Sequence, residues 1–421
     1  MKAFRSRWSI GKVTELLYQK LHCVNEGVLV MVKFLSGVVL SVVLLAGCDD
    51  ESQSPQDRLR TYSVAFRSAS SKEALQLIAE LAGGPQLSAR VKYGVETFRF
   101  VYQTTYKGQT VNASGLIHIP QGLTADAPMI SLQHGTTFEK SEAPSTSGSP
   151  SGVELFASAG YIAIESDYLG YGESAALFHP YYDREYSALT ITDMITQVRK
   201  YLDDERIGYN DKVFLAGYSE GGYVTLAAAK EIELRSTYGI NITAVAAGAG
   251  GYDLTGMLKS VTTGPTYANP GYLAFVLMSY NITYDWNRPL EDFFAPQYAS
   301  ALQLFMNGEY SGDFINSKLT KNVSALLNPT FLQALKGDGE LALKKALSDN
   351  SVAGWNSNLP IRLYHGTEDE VIPYDNSELT LQNFKDAGSA DVELTLIQGG
   401  THGNSFEPML VLFVPWFDAK W

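Results

Sequence analysis

An apolar run, Val213-Phe214-Leu215-Ala216, passes directly into Gly217-Tyr218-Ser219-Glu220-Gly221, and a small-residue helical stretch over residues 223–230 follows at once. The run reads as a buried strand, so the G-x-S-x-G pattern has to turn strand into helix. The residues two before and two after the serine must lack bulk for the two backbones to pass. A serine held on so sharp and strained a turn exposes its hydroxyl. The plain alternative is a glycine-rich turn of an ordinary parallel sheet. On either reading the chain needs a sheet with helices packed against it.

The surroundings repeat that demand. Residues 95–106 and 111–119 are β-rich and separated by Lys107-Gly108, which predicts an antiparallel hairpin. Strands expected at 128–133, 161–166, 213–217, 244–248, 361–364 and 392–397 then alternate with helices, the longest over 186–202. Strands interleaved with helices predict an α/β fold, a mostly parallel central sheet with helices on both faces. Upstream, residues 71–82 carry helical spacing that Gly83-Gly84-Pro85 is expected to stop. The alternation breaks after residue 254 for about a hundred residues, rich in aromatics such as Tyr267, Tyr272, Phe275, Tyr280, Phe293 and Phe294. Residues 255–358 are expected to form an inserted helical cap, leaving 61–254 and 359–421 as the core. Whether its aromatics meet a substrate or only pack stays open at this level.

The N-terminus carries an address. Residues 34–46 are apolar, follow Lys33, and close in Leu45-Ala46-Gly47-Cys48. The run is short for a transmembrane helix and fits a signal peptide over residues 1–47, with Met31 as a second candidate start. The Leu-Ala-Gly-Cys ending resembles a bacterial lipobox, which implies a lipid on Cys48, a polar linker over 48–60 and a lipoprotein of the cell envelope. Asp49 resembles the inner-membrane retention signal of enteric lipoproteins. With net charge −13 and no basic patch, a nucleic-acid partner is not expected. There is no Cys-x-x-Cys, no His-Glu-x-x-His and no dense His/Asp cluster, so neither a metal nor another cofactor is expected.

A serine hydroxyl is a weak nucleophile until a base accepts its proton and an acid orients that base. Three histidines sit at expected strand ends: His134 in Gln133-His134-Gly135-Thr136, His365 in His365-Gly366-Thr367-Glu368-Asp369-Glu370, and His402 in Gly400-Thr401-His402-Gly403. His118 and His179 read as structural, one on a β-edge and one in a Phe-His-Pro turn. The available acids are Glu368, Asp369 and Glu370, and also Asp253 after the 244–248 strand.

Together these segments, in the order Ser…Asp…His, strongly resemble the α/β-hydrolase superfamily, and most closely its secreted lipase-like and prolyl-oligopeptidase-like esterases. The resemblance covers roughly residues 92–254 and 359–421. It implies an α/β-hydrolase fold and a serine hydrolase that cleaves carboxylic esters through an acyl-enzyme. Carried over, Ser219 is the nucleophile, His402 the base and Asp369 the acid, with Asp253 where some relatives place the acid instead. The oxyanion hole is implied to use the backbone N–H groups of Glu220 and Thr136, with the Thr136 hydroxyl as a third donor. His134 and Gly135 would shape that loop, and Gly217 and Gly221 the turn. The implied partners are a small-molecule or lipid ester and, through Cys48, a membrane. The same triad serves peptidases and acyltransferases, but no stretch resembles propeller blades. A non-catalytic binding protein on this scaffold usually lacks a triad member, and this chain has all three.

Overall fold

A computed structural model describes residues 61–421. The expected signal peptide, Cys48 and the linker to residue 60 lie outside the described residues. Nine strands form one sheet: β1 (Tyr62–Ser70), β2 (Val95–Tyr106), β3 (Gln109–Pro120), β4 (Ala127–Gln133), β5 (Ile162–Ser166), β6 (Tyr209–Tyr218), β7 (Ile242–Gly248), β8 (Ile361–Gly366) and β9 (Val392–Ile397). Their order is β1-β2-β3-β5-β4-β6-β7-β8-β9. The first three pair antiparallel, as do β3 and β5, and every pair from β5–β4 through β8–β9 is parallel.

Period-two alternation assigns the strand side chains to two cores. Val213 and Leu215 face the larger core, while Phe214 and Ala216 face the smaller. On the smaller side lie α1 (Lys72–Ser88), α2 (Glu154–Ala159) and α13 (Phe406–Asp418), contributing Leu75, Ala157 and Phe413. On the larger side α3 (Arg184–Glu205) and α4 (Glu220–Leu234) contribute Ile191, Met194 and Leu226, and α12 (Asp375–Asp386) contributes Phe384. A sheet buried on both faces explains the near-continuous apolar runs of its central strands.

Two local expectations were incomplete. β1 was not foreseen, because its Ser- and Ala-rich sequence has little intrinsic strand preference. It forms as an edge strand on β2, where Tyr62 stacks on Phe100 at 5.4 Å. The glycines after residue 82 do break the helix, since Gly84 leaves helical geometry at φ 72°, but helical turns that the sequence did not announce resume from Pro85 to Ser88 within α1.

Seven helices lie between β7 and β8: α5 (Leu254–Thr263), α6 (Pro270–Thr283), α7 (Pro296–Phe305), α8 (Gly312–Ser317), α9 (Val323–Leu326), α10 (Pro329–Lys336) and α11 (Leu341–Asn350). Most of the aromatic content here is packing. Phe293 meets Phe331 edge-on, Phe275 stacks on Tyr181 at 4.6 Å, and the Tyr280 hydroxyl donates to the Tyr182 carbonyl at 2.9 Å. Among the described residues no helix is long and apolar enough to cross a membrane.

Candidate active site

The parallel strands deliver their C-terminal ends to one edge: Gln133 pairs in register with Gly217, Tyr218 with Gly248, and Gly366 with Ile397. Open α/β sheets bind ligands outside that edge. Ser219 stands there between β6 and α4 with φ 60° and ψ −125°, a conformation an L-residue keeps at a cost of about 1–3 kcal/mol. Its N–H donates to the Gly248 carbonyl at 2.9 Å, which ties the turn to the neighbouring strand. The glycines are steric requirements. A Cβ on Gly217 would lie 2.2 Å from the Gly221 carbonyl oxygen, and one on Gly221 would lie 2.0 Å from that of Gln133.

His402 reaches the serine across 183 positions of chain, its Nε2 2.9 Å from Ser219 Oγ. Its Nδ1 lies 2.7 Å from Asp369 Oδ2. A carboxylate only accepts, so Nδ1 carries the proton and Nε2 presents its lone pair to the hydroxyl. The Asp369 side chain is fully buried, and its Oδ1 accepts from the N–H groups of Val371 and Ile372 at 2.9 and 2.8 Å. Burial opposes its charge, but hydrogen bonds from His365, His402 and the Ile372 N–H outweigh it. They hold the carboxyl well below the usual carboxylate range. His365, one of the three strand-end histidines, braces this loop: its Nε2 donates to the Ile372 carbonyl at 2.9 Å, and its Nδ1 lies 2.7 Å from Ser377 Oγ.

The rival acids have other partners. Asp253 caps α5 by accepting from Thr255 N–H at 3.1 Å, and Glu370 accepts from the His402 backbone N–H at 3.2 Å. Glu368 has no side-chain bond to His402, while the Tyr218 hydroxyl donates to the His402 carbonyl at 2.7 Å and steadies the loop.

The loop after β4 runs along the serine turn. The Cβ position of Gly135 lies 3.6 Å from Ser219 Cβ, so the loop passes at van der Waals distance. The N–H groups of Thr136 and Glu220 donate to no other group among the described residues. The Thr136 hydroxyl, expected to be a third donor, is hydrogen-bonded to the Tyr181 hydroxyl at 2.8 Å. His134 donates from Nδ1 to the Gly135 carbonyl at 2.8 Å and stacks on Tyr168 at 4.1 Å, a bracing role. His179 reads as structural from its Phe-His-Pro segment, and the structure adds its partner. It is buried and places Nε2 2.7 Å from Oε1 of Glu220, the residue after the serine. The available signal was Glu220 itself, a carboxylate in an otherwise apolar turn that needs a partner once buried.

An apolar cleft opens on Ser219. Its walls come from both parts of the chain: Tyr181, Val371 and Ile372 from the sheet edge, and Met257, Leu258, Val261, Val276 and Leu343 from the inserted helices. Of the aromatics singled out in that insertion, only Tyr267 and Tyr272 line it.

The sequence model of the secretory lipase family matches residues 153–405. No curated protein matches the chain in sequence. Among solved structures, a protein of Legionella pneumophila named as a candidate hydrolase is 24% identical, with TM-score 0.77 over 85% of this chain and 97% of its own. The rice cell wall degrading esterase LipA of Xanthomonas oryzae is 23% identical, with TM-score 0.74 over 85% of this chain and 98% of its own. Lipase A of Candida antarctica in its closed state is 16% identical, with TM-score 0.63 over 86% and 82%. At these identities the likeness to the solved structures is one of fold.

Proposed function

Because the chain belongs to the secretory lipase family and is a carboxylic ester hydrolase, we propose that it cleaves its substrate with Ser219, His402 and Asp369 through an acyl-enzyme. The observation that carries this reading is the unbroken hydrogen-bond chain from Ser219 Oγ through His402 to Asp369, set on a serine with positive φ. Ser219 Oγ attacks the ester carbonyl as its proton passes to His402 Nε2, and Asp369 stabilises the imidazolium so formed. The carbonyl oxygen becomes an oxyanion facing the N–H groups of Glu220 and Thr136. Each such donor contributes about 2.7–4 kcal/mol to the transition state. The tetrahedral intermediate collapses as His402 protonates the departing alcohol, leaving the acyl group on Ser219. A water then repeats the sequence with His402 as base and releases the acid.

The acyl chain occupies the apolar cleft, and the inserted helices act as a cap that sets its length. A series of p-nitrophenyl esters, measured with and without micelles, tests both statements. Wild type is expected to hydrolyse the series, and micelle-dependent long-chain activity would mark a lipase. Val261→Trp, which fills the cleft, is expected to lower the ratio of long-chain to acetyl turnover by about tenfold or more. Each methylene denied burial costs about 0.8 kcal/mol. No turnover of any ester would overturn the function, and an unchanged ratio in the variant would overturn the assignment of the cleft.

Membership of a secretory family supports an extracellular or envelope location. We place the protein on a membrane through lipid on Cys48, with residues 49–60 as the tether. Cys48→Ser is then expected to move the protein from the membrane fraction to the soluble fraction, or to block its processing. Since a single acyl chain anchors weakly, wild type should carry more than one. Soluble wild type without lipid mass on its N-terminus would show this placement wrong.

A further inference from the structure

Resting on the Ser-His-Asp reading, we propose that His179 is a positioning residue of the oxyanion hole: it holds and neutralises the Glu220 carboxylate beside the N–H that receives the acyl oxygen. Glu220 follows the nucleophile and opens α4, so its backbone N–H faces the site while its side chain points inward, 1% exposed. A negative carboxylate there opposes the negative charge that forms on the substrate oxygen, and its burial strengthens the opposition.

The hydrogen bonds of His179 supply the compensation. Its Nδ1 lies 2.6 Å from the Leu169 carbonyl, and its Nε2 lies 2.7 Å from Glu220 Oε1. A carbonyl oxygen can only accept, so Nδ1 carries a proton. The second contact needs a proton between nitrogen and carboxylate. Whichever atom holds that proton, the pair has no net charge. It is also walled in: His179 is 6% exposed, with Tyr171 and Tyr181 rings at 4.9 and 5.9 Å and Phe275 at 5.8 Å. Gly170 is required for this enclosure, since a Cβ there would lie 2.6 Å from the His179 backbone.

The same segment also fixes the second donor. The Tyr168 hydroxyl donates to the His134 carbonyl at 2.9 Å, that of Tyr171 to the Thr137 carbonyl at 2.5 Å, and Tyr181 pairs with the Thr136 hydroxyl. Burial keeps the Tyr168 and Tyr171 phenols above their usual range, so they stay neutral donors. Residues 168–181 therefore carry both halves of the oxyanion hole, and His179 is the only link in them to Glu220 among the described hydrogen bonds.

The test is a double-mutant cycle with kcat, KM and fluorophosphonate labelling measured on each protein. His179→Gln keeps a donor toward Glu220 but cannot neutralise it. It is expected to lower kcat by about 10²-fold, the size of a lost oxyanion donor, with KM within about threefold. Adding Glu220→Gln removes the charge and is expected to recover at least tenfold of that loss, which a purely structural role for His179 would not allow. A folded His179→Gln protein with wild-type kcat, or a double variant with no recovery, would overturn the proposal. If His179→Gln does not fold, the double variant buries no lone charge and is expected to fold and turn over. A folded double variant without activity would then overturn it. Wild type that fails to label at Ser219 refutes the underlying triad reading, whereas labelled wild type with an indifferent His179→Gln refutes this proposal alone.

Discussion

Ser219→Ala is expected to abolish covalent labelling by a fluorophosphonate and to lower ester turnover by about 10⁴-fold or more. The expectation follows from the surroundings of the hydroxyl. Among the described residues, Ser219 Oγ is the group that His402 Nε2 contacts, at 2.9 Å. Alanine removes the attacking atom and leaves the loop, the glycines and the apolar cleft in place. It meets the same backbone requirement at φ 60°, so the fold should persist and a melting temperature near that of wild type should accompany the loss. A variant that still labels, or that keeps turnover within tenfold, would remove Ser219 from the mechanism.

Asp369→Asn is expected to cost about 10²–10⁴-fold in kcat with little change in KM. The hydrogen bonds around Asp369 explain the size of the effect. Its Oδ1 accepts two backbone N–H groups, from Val371 and Ile372, so an asparagine must place its oxygen there. The amide nitrogen then occupies the position of Oδ2, facing His402 Nδ1. Two donors cannot share that contact. The imidazole is driven to carry its proton on Nε2, and in that tautomer it cannot accept one from Ser219. Asp253→Asn serves as the contrast. Asp253 caps α5 through Thr255 N–H, and asparagine caps a helix equally well, so kcat should stay within about twofold. If the two variants exchanged effects, the acid would have to come from the loop after β7.

Both predictions concern residues that could be named without coordinates, because each belongs to a short pattern with its own local reason. The strand before Gly217 and the helix after Gly221 are visible in residue type and period alone. So is the sequence of strand ends on which His134, Asp369 and His402 fall. The alternation after residue 128 was legible for the same reason, since a strand buried on both faces writes its environment into consecutive apolar residues.

What escaped is what depends on distant neighbours. β1 is a strand because β2 offers it an edge, and nothing in its own Ser- and Ala-rich composition states that. The Gly84 bend is a break by propensity, yet helical turns resume after it from Pro85 to Ser88. The sequence left open whether the aromatics of the insertion meet a substrate or only pack, and in the structure many of its rings contact one another and Tyr181 and Tyr182. His179 is the sharpest case: a histidine in a Phe-His-Pro turn carries no local sign that it meets a carboxylate 41 positions away. Periodicity and turn chemistry decide which face of an element is buried and where the chain reverses. Which buried polar group meets which is set by the crossover topology that stacks the strand ends of β5 and β6 on one edge, and only the folded chain brings those ends together.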